Sequence, residues 1–375
     1  FRGPIYCSEG TLALCQILLP DAAYLQEEEA NYANLRGHTK HHPALPLYTR
    51  EDAERVLALF EPVTVGKDFD LGKGLQVRFR RAGHILGASM VRLWDASTSV
   101  LFTGDLGRPN DALMVAPDVP DPVDYLVCES TYGNRLHDAT DPLDALDPII
   151  NRTAKRGGIL IIPAFAVGRA QALIYYCHRL KELHRIPDLP IFLNSPMAEK
   201  TTDLFVRLHD EHRLNGEESV ALRQAVKYVR DVEASKALNL RKDPCIIISA
   251  SGMATGGRVI HHIRAMAPDP RNTILFAGFQ AAGTRGEAMV NGAKEVKIHG
   301  AYVPIHAEVD DLHNLSAHAD QAEILGWLRH FPAPPKRTFI THGEPAASDA
   351  LRLKIQDTLG WNVTVPEDRE VATLS

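Results

Sequence analysis

Five side chains able to bind metal ions or move protons stand where an apolar, strand-like run gives way to a loop. They are His84 after Gly83, Asp105 after Gly104, Glu129 after the run 123–128, His318 in Leu-Ser-Ala-His-Ala-Asp, and His342 after the run 337–341. Imidazole and carboxylate are ligands that borderline-soft zinc accepts, and they are also the usual general acids and bases near neutral pH. A single His or Asp beside glycine is ordinary turn chemistry. Five in one register, each at a strand or loop end where a side chain can face a cleft, point instead to a metal-dependent hydrolase.

Such residues need a sheet to position them. Residues 75–80, 89–94 and 99–103 carry alternating or apolar strand signals separated by short turns, which predicts a sheet with His84 and Asp105 on one rim. Upstream, residues 1–7 read as the end of a strand, 11–19 as a helix closed by Pro20, and 22–35 as a second helix with Glu27, Glu28 and Glu29 on its solvated side. Thr49 is the expected N-cap of a helix through Phe60, with Glu51 and Asp52 meeting its positive end. His38, His41 and His42 fall in a Pro-bounded, non-periodic segment and read as a loop, not as a structural zinc site.

From about residue 140 the pattern changes to repeated strand–loop–helix units, with strands at 158–162, 190–193, 244–249 and 272–279. This predicts a parallel α/β sheet whose ligands lie beyond the carboxyl ends of its strands. The polar stretch 208–240 reads as solvated helix, with His209 and His212 on an exposed face. A helix over 321–330 and a strand over 337–341 then resume the ligand-after-strand pattern of the first 130 residues, so the middle reads as an insertion. Two loops of that insertion are candidate phosphate sites. Ser251, Gly252, Thr255, Gly256, Gly257 and Arg258 would expose N–H groups at a helix start, and Val167-Gly168-Arg169 would do the same one unit earlier. The alternative at both loops is glycine serving tight strand–helix packing. Arg285 and Lys294 are further candidate groove cations.

Composition limits the function classes. With 375 residues, 45% hydrophobic and 23% charged, the chain is that of a globular protein with a sizeable core. A net charge of −6 argues against coating nucleic acid by bulk electrostatics and leaves room for a local basic groove. Five scattered cysteines, never spaced C-x-x-C, read as core residues of a reducing compartment. No apolar run reaches membrane-spanning length, and the cytoplasm is the expected location.

On Ala-Gly-His84, Thr-Gly-Asp105, Glu129-Ser-Thr-Tyr-Gly, Ser-Gly-Met253-Ala-Thr-Gly-Gly, Ser-Ala-His318-Ala-Asp and Thr-His342-Gly-Glu, the chain resembles the β-CASP nucleases of the metallo-β-lactamase fold. Within them it is similar to bacterial ribonucleases related to the endonuclease subunit of the pre-mRNA 3′-end machinery. The resemblance implies an α/β protein: an αββα catalytic sandwich over 1–140 and 313–375, with an inserted parallel α/β β-CASP cap over 141–312. It implies two zinc ions, His84 on the first, Asp105 bridging and His342 on the second, with Glu129 and His318 as the proton-handling pair. It also implies a zinc-dependent ribonuclease acting on single-stranded RNA. A His at position 342 matches the RNA-cutting branch, and both endonucleolytic and exonucleolytic cleavage stay open, as does a homodimer.

One family motif, His-x-His-x-Asp-His, is absent from the sequence. Without it each zinc keeps two protein ligands, short of the three usual in catalytic sites. Two expectations follow. Either the motif lies upstream of Phe1, which is not Met, or the chain is a non-catalytic RNA-binding or scaffold relative; the five retained site residues favour the former.

Overall fold

The computed structural model describes residues 1–37 and 39–374, so His38 of the histidine cluster lies outside the described residues, while His41 and His42 sit exposed in a loop. The chain divides into two compact units: Phe1–Leu136 with His318–Ser375, and His137–Ala317.

Among the described residues, the first unit is built on a seven-stranded sheet. Its strands run in the order Val363–Thr364, Arg337–Thr341, Tyr125–Glu129, Ser99–Phe102, Ser89–Trp94, Gln76–Arg81, Asp68–Asp70. Strand Tyr125–Glu129 is interior, and its Leu126 and Cys128 are fully buried beside Met90, Leu101 and Ile340. This is why its sequence is a continuous apolar run, where an edge strand would alternate. Helix Gln321–Leu328 starts at Asp320, whose carboxylate accepts from Glu323 N while Glu323 returns a bond to Asp320 N, a reciprocal cap.

Near the amino end, one helix spans Glu9–Arg36 with Pro20 inside it, where two helices were expected. Ser8 caps it by accepting from Thr11 N at 3.1 Å. An interior proline costs roughly 3 kcal/mol. Burial of Ala13 and Leu14 before it, and of Ala23 and Ala30 after it, carries the helix through. The helix capped by Thr49 is Arg50–Leu57, with Thr49 and Asp52 forming the reciprocal cap; it stops short of Phe60, which opens strand Phe60–Pro62.

The second unit carries a wholly parallel sheet in the order Lys227–Tyr228, Ile191–Leu193, Cys245–Ser249, Ile159–Pro163, Thr273–Ala277, Glu308–Leu312. Three of the four interior strands, Cys245–Ser249, Ile159–Pro163 and Thr273–Ala277, are buried at every residue, which explains runs such as Ile-Leu-Ile-Ile and Ile-Ile-Ile. The 208–240 stretch is not continuous helix. It breaks into a 3-10 turn His209–Glu211, helices Gly216–Gln224 and Val232–Asn239, and the edge strand between them. His212 is buried there, its Nε2 2.7 Å from Phe205 O, because its ring stacks on Phe205; only His209 has the expected exposure. No helix of the described residues is long and apolar enough to cross a membrane. All five cysteines are free, and four of them are buried.

Candidate active site

Strand direction alone brings four of the five residues to one rim. Ser89–Trp94 pairs antiparallel with both Gln76–Arg81 and Ser99–Phe102, so those two run the same way. Strands Ser99–Phe102, Tyr125–Glu129 and Arg337–Thr341 then pair in parallel, with Glu129 opposite Thr341. His84, Asp105, Glu129 and His342 therefore lie at or just beyond carboxyl ends that share an edge. His318 joins them through the backbone: Gly107 and His318 form a β-bridge, and Ala319 N donates to Leu106 O at 2.7 Å.

Two glycines make this convergence possible. Gly107 N donates to Ala82 O at 2.8 Å. A Cβ at Gly107 would lie 2.0 Å from Gly83 O, so the loops carrying His84 and Asp105 touch backbone to backbone. His342 itself adopts φ 54°, a left-handed conformation that costs a non-glycine residue about 1 kcal/mol. Its Nδ1 then sits 3.3 Å from Asp105 Oδ1 and 3.3 Å from Thr131 Oγ1.

Asp105 reaches both flanking imidazoles with different oxygens, Oδ1 toward His342 and Oδ2 to within 3.7 Å of His84 Nε2. One carboxylate thus stands between two imidazoles, one at each oxygen. Ligand atoms of His84, Asp105 and His318 also lie within 4.8 Å of one another, close enough to hold a cation. The His84 and His318 rings are 4.2 Å apart between centroids. The donors are nitrogen and oxygen, the atom types zinc accepts, and they supply part of the ligand set a catalytic zinc needs.

Glu129 differs from Asp105 in burial and in its hydrogen bonds. It is 2% exposed. Oε1 accepts from Leu106 N at 2.6 Å and from His318 Nδ1 at 3.0 Å, and Oε2 accepts from Thr131 N at 3.1 Å. Burial opposes ionisation, but the hydrogen bond and charge of His318, with the Thr131 donors, outweigh it and hold the carboxyl below its ordinary range. Glu129 is thus an ionised group reserved for His318. Thr103 and Thr131 complete this shell without having been singled out from the sequence: Thr103 Oγ1 accepts from Glu129 N at 3.1 Å. Both stand within or beside the Thr-Gly-Asp and Glu-Ser-Thr motifs, and that adjacency is the signal that could have found them.

The second unit gathers its candidate residues at the carboxyl ends of its own strands. Ser251 and Thr255 share a hydrogen bond at 2.9 Å between hydroxyls, and Thr255 is exposed. Gly257 adopts φ 69°, and a Cβ there would lie 2.7 Å from Ala250 O, whereas Gly256 has open space around it. Gly168 precedes helix Arg169–Glu182 with φ 75° and no side-chain cap, and the Arg169 guanidinium lies against Gly278. Arg258 departs from the expectation of a phosphate ligand. Its NH1 donates to Asn194 Oδ1 and Val229 O, and its NH2 to Arg230 O, each at 2.8 Å, so it anchors the loop from beneath. Arg285 also turns inward, donating to Ala254 O, Thr255 O and Lys297 O; Lys294 is exposed.

Beneath Arg258 lies a polar network with no obvious sequence signal. Asn194 Nδ2 donates to Ser235 Oγ and to His262 Nε2, and His262 Nδ1 donates to Asn239 Oδ1. Burial first, then the nearby His261 and Arg258 charges, lowers the His262 pKa from 6.5 to about 4.

Residues 170–289 match the family profile described as Beta-Casp domain, and residues 302–366 match the one described as Zn-dependent metallo-hydrolase RNA specificity domain. The chain is 34% identical over 355 residues to a Thermus thermophilus protein named Ribonuclease TTHA0252, covering 92% of this chain and 76% of that one. It is 29% identical over 324 residues to an RNase J-like protein of Methanocaldococcus jannaschii, covering 85% and 76% respectively. Identity is 28% over 391 residues to a transcription termination factor FttA of a Lokiarchaeum species, and all of this chain matches 59% of that protein.

Proposed function

We propose, for a chain that belongs to the β-CASP nucleases of the metallo-β-lactamase fold, that it hydrolyses phosphodiester bonds of single-stranded RNA with two zinc ions. The observation that carries this reading is the pairing of two arrangements at one rim: a carboxylate between two imidazoles, Asp105 with His84 and His342, and a buried ion pair, Glu129 with His318.

His84 and Asp105 would hold one ion, Asp105 and His342 the other. Zinc so held lowers the pKa of water and offsets negative charge on the scissile phosphate. The protein's own groups handle the rest. Glu129 fixes His318 through Nδ1, keeps its ring oriented and supplies the charge that favours the imidazolium. His318 can then deliver a proton from Nε2 to the departing 3′ oxygen. Leu106 N and Thr131 N also donate to Glu129, one to each oxygen, and these bonds favour the ionised carboxylate and keep it engaged within the protein.

Ser251, Gly252, Thr255, Gly256 and Gly257 supply the phosphate contacts of the second unit, with Arg169 beside them. In this proposal Arg258 positions that loop and does not touch substrate. The five active-site residues come from one unit of one chain, so a homodimer would keep the chemistry within each subunit.

The test is cleavage of matched single-stranded RNA and DNA by the zinc-loaded full-length gene product, with metal content measured in parallel. Cleavage of RNA with about two zinc ions per chain supports the proposal. RNA binding without zinc and without cleavage would replace it with the scaffold reading.

A further inference from the structure

We infer that Phe165 is a nucleobase platform: its ring stacks on the base of a nucleotide whose phosphate the 251–258 loop takes. This rests on the reading of the chain as an RNA nuclease and deepens it. Phe165 lies between the central strand Ile159–Pro163 and helix Arg169–Glu182, beyond the carboxyl end where a parallel sheet offers its ligand sites. Its neighbours Ala164 and Ala166 are 1% and 7% exposed, whereas Phe165, the largest apolar residue of the turn, is 45% exposed.

The ring is not loose. Phe165 O accepts from Ala170 N at 3.0 Å, and Ala164 N donates to Ser249 O at 3.0 Å, so the backbone on both sides is tied to the sheet and to the helix start. One edge of the ring rests on Gly252. A Cβ at 252 would lie 2.9 Å from Phe165 Cδ2, 3.0 Å from Cε2 and 3.0 Å from Phe165 N. Gly252 thus makes room for the ring and belongs to the loop proposed to take phosphate, one residue from Ser251 and three from Thr255. A fixed aromatic surface beside small residues and hydroxyls is what single-stranded nucleic acid uses when its sequence is not read: phosphate to the polar groups, base to the ring. Prior ordering of the ring reduces the entropy lost on binding.

The experiment measures kcat and KM of the zinc-loaded full-length protein on a fluorescent oligouridylate and on the same strand carrying one abasic nucleotide at successive positions. Alanine at a stacking position weakens binding roughly 5- to 150-fold per base. Phe165→Ala should raise KM by a factor in that range with kcat nearly unchanged, Phe165→Trp should restore it, and Phe165→Leu should not. One abasic position should abolish the difference between the wild-type protein and Phe165→Ala. Equal behaviour of the Leu and Trp variants, or a Phe165→Ala defect that no abasic position removes, would overturn the inference while leaving RNA cleavage intact. So would a change of oligomeric state with KM unaltered, which would make Phe165 a protein contact. A wild-type protein that neither binds nor cuts RNA would overturn the functional reading itself.

Discussion

His318 donates from Nδ1 to Glu129 Oε1 at 3.0 Å, and the side chain of that carboxylate is 1% exposed while the imidazole is 19% exposed. A buried anion beneath a half-buried imidazole polarises the ring in one direction only, toward whatever approaches from the rim. Glu129→Gln removes the charge and presents an amide to Leu106 N and Thr131 N, which need acceptors. Loss of general-acid assistance is expected to lower kcat about 10²- to 10⁴-fold with little change in KM. Steady-state kinetics on RNA, with zinc content as the control, checks this.

The same carboxyl sets a pH dependence. Its folded pKa lies below the ordinary 4.5, so it stabilises the native state fully above that value, and the contribution is lost as pH falls through the folded pKa. The stability gap between the native protein and Glu129→Gln should therefore shrink once pH drops below about 4.5. Denaturant titrations of both proteins across that range measure it. A gap that grew on acidification would contradict the ionised assignment.

Metal and proton roles separate at Asp105 and His318. Asp105 faces both His84 and His342, so Asp105→Ala should lose bound zinc together with activity. His318→Ala should keep most of its zinc and lose activity about 10²- to 10⁴-fold. Metal analysis after dialysis, paired with cleavage rates, distinguishes the two. Equal zinc loss in both variants would make His318 a ligand instead, a role its proximity to His84 and Asp105 also permits.

His262 predicts an effect far from the chemistry. Its two ring nitrogens are taken by Asn194 as donor and Asn239 as acceptor, an arrangement only the neutral ring satisfies. With a folded pKa of about 4 against 6.5, the unfolded chain takes up a proton first as pH falls. Stability present above pH 6.5 should drain between 6.5 and about 4, by about 3 kcal/mol in all. An NMR titration should place the His262 midpoint near the lower value. A midpoint at 6.5 would mean that the network tolerates the cation.

Much of this architecture was legible because burial writes itself into composition. Ile159–Pro163 and Cys245–Ser249 are buried at every residue and read as uninterrupted apolar runs, so their strand character and parallel pairing could be anticipated. The candidate ligands at the rim could be singled out for a related reason: Gly83 and Gly104 adopt φ 72° and 54°, and a glycine at that turn marks where a strand releases its next side chain. Pro20 misled because its local penalty was visible and the tertiary packing that overrides it was not. Arg258 misled in the opposite sense. Its charge suggested an outward-facing ligand, and only the fold shows Asn194, Val229 and Arg230 waiting beneath it. Lys227–Tyr228, a two-residue strand inside a polar stretch, is too short to leave a periodic signal.

The contact between Gly83 and Gly107 offers a test of whether backbone approach, not side-chain chemistry, assembles the candidate metal rim. Gly107→Ala would put a methyl 2.0 Å from Gly83 O, 2.1 Å from its carbonyl carbon and 2.6 Å from His84 N. None of these is a flexible side-chain end, so the two loops must part. Separation breaks the Gly107 N to Ala82 O bond and displaces His84 from Asp105. Overpacking of this kind costs about 1–3 kcal/mol, small enough for the seven-stranded sheet to persist, so the variant should fold with a lower melting temperature and weakened zinc affinity. Gly256→Ala, at a glycine with open space around it, is the control and should leave both unchanged. If Gly107→Ala bound zinc as tightly as the native protein, the rim would be held together by its ligands and not by the two glycines.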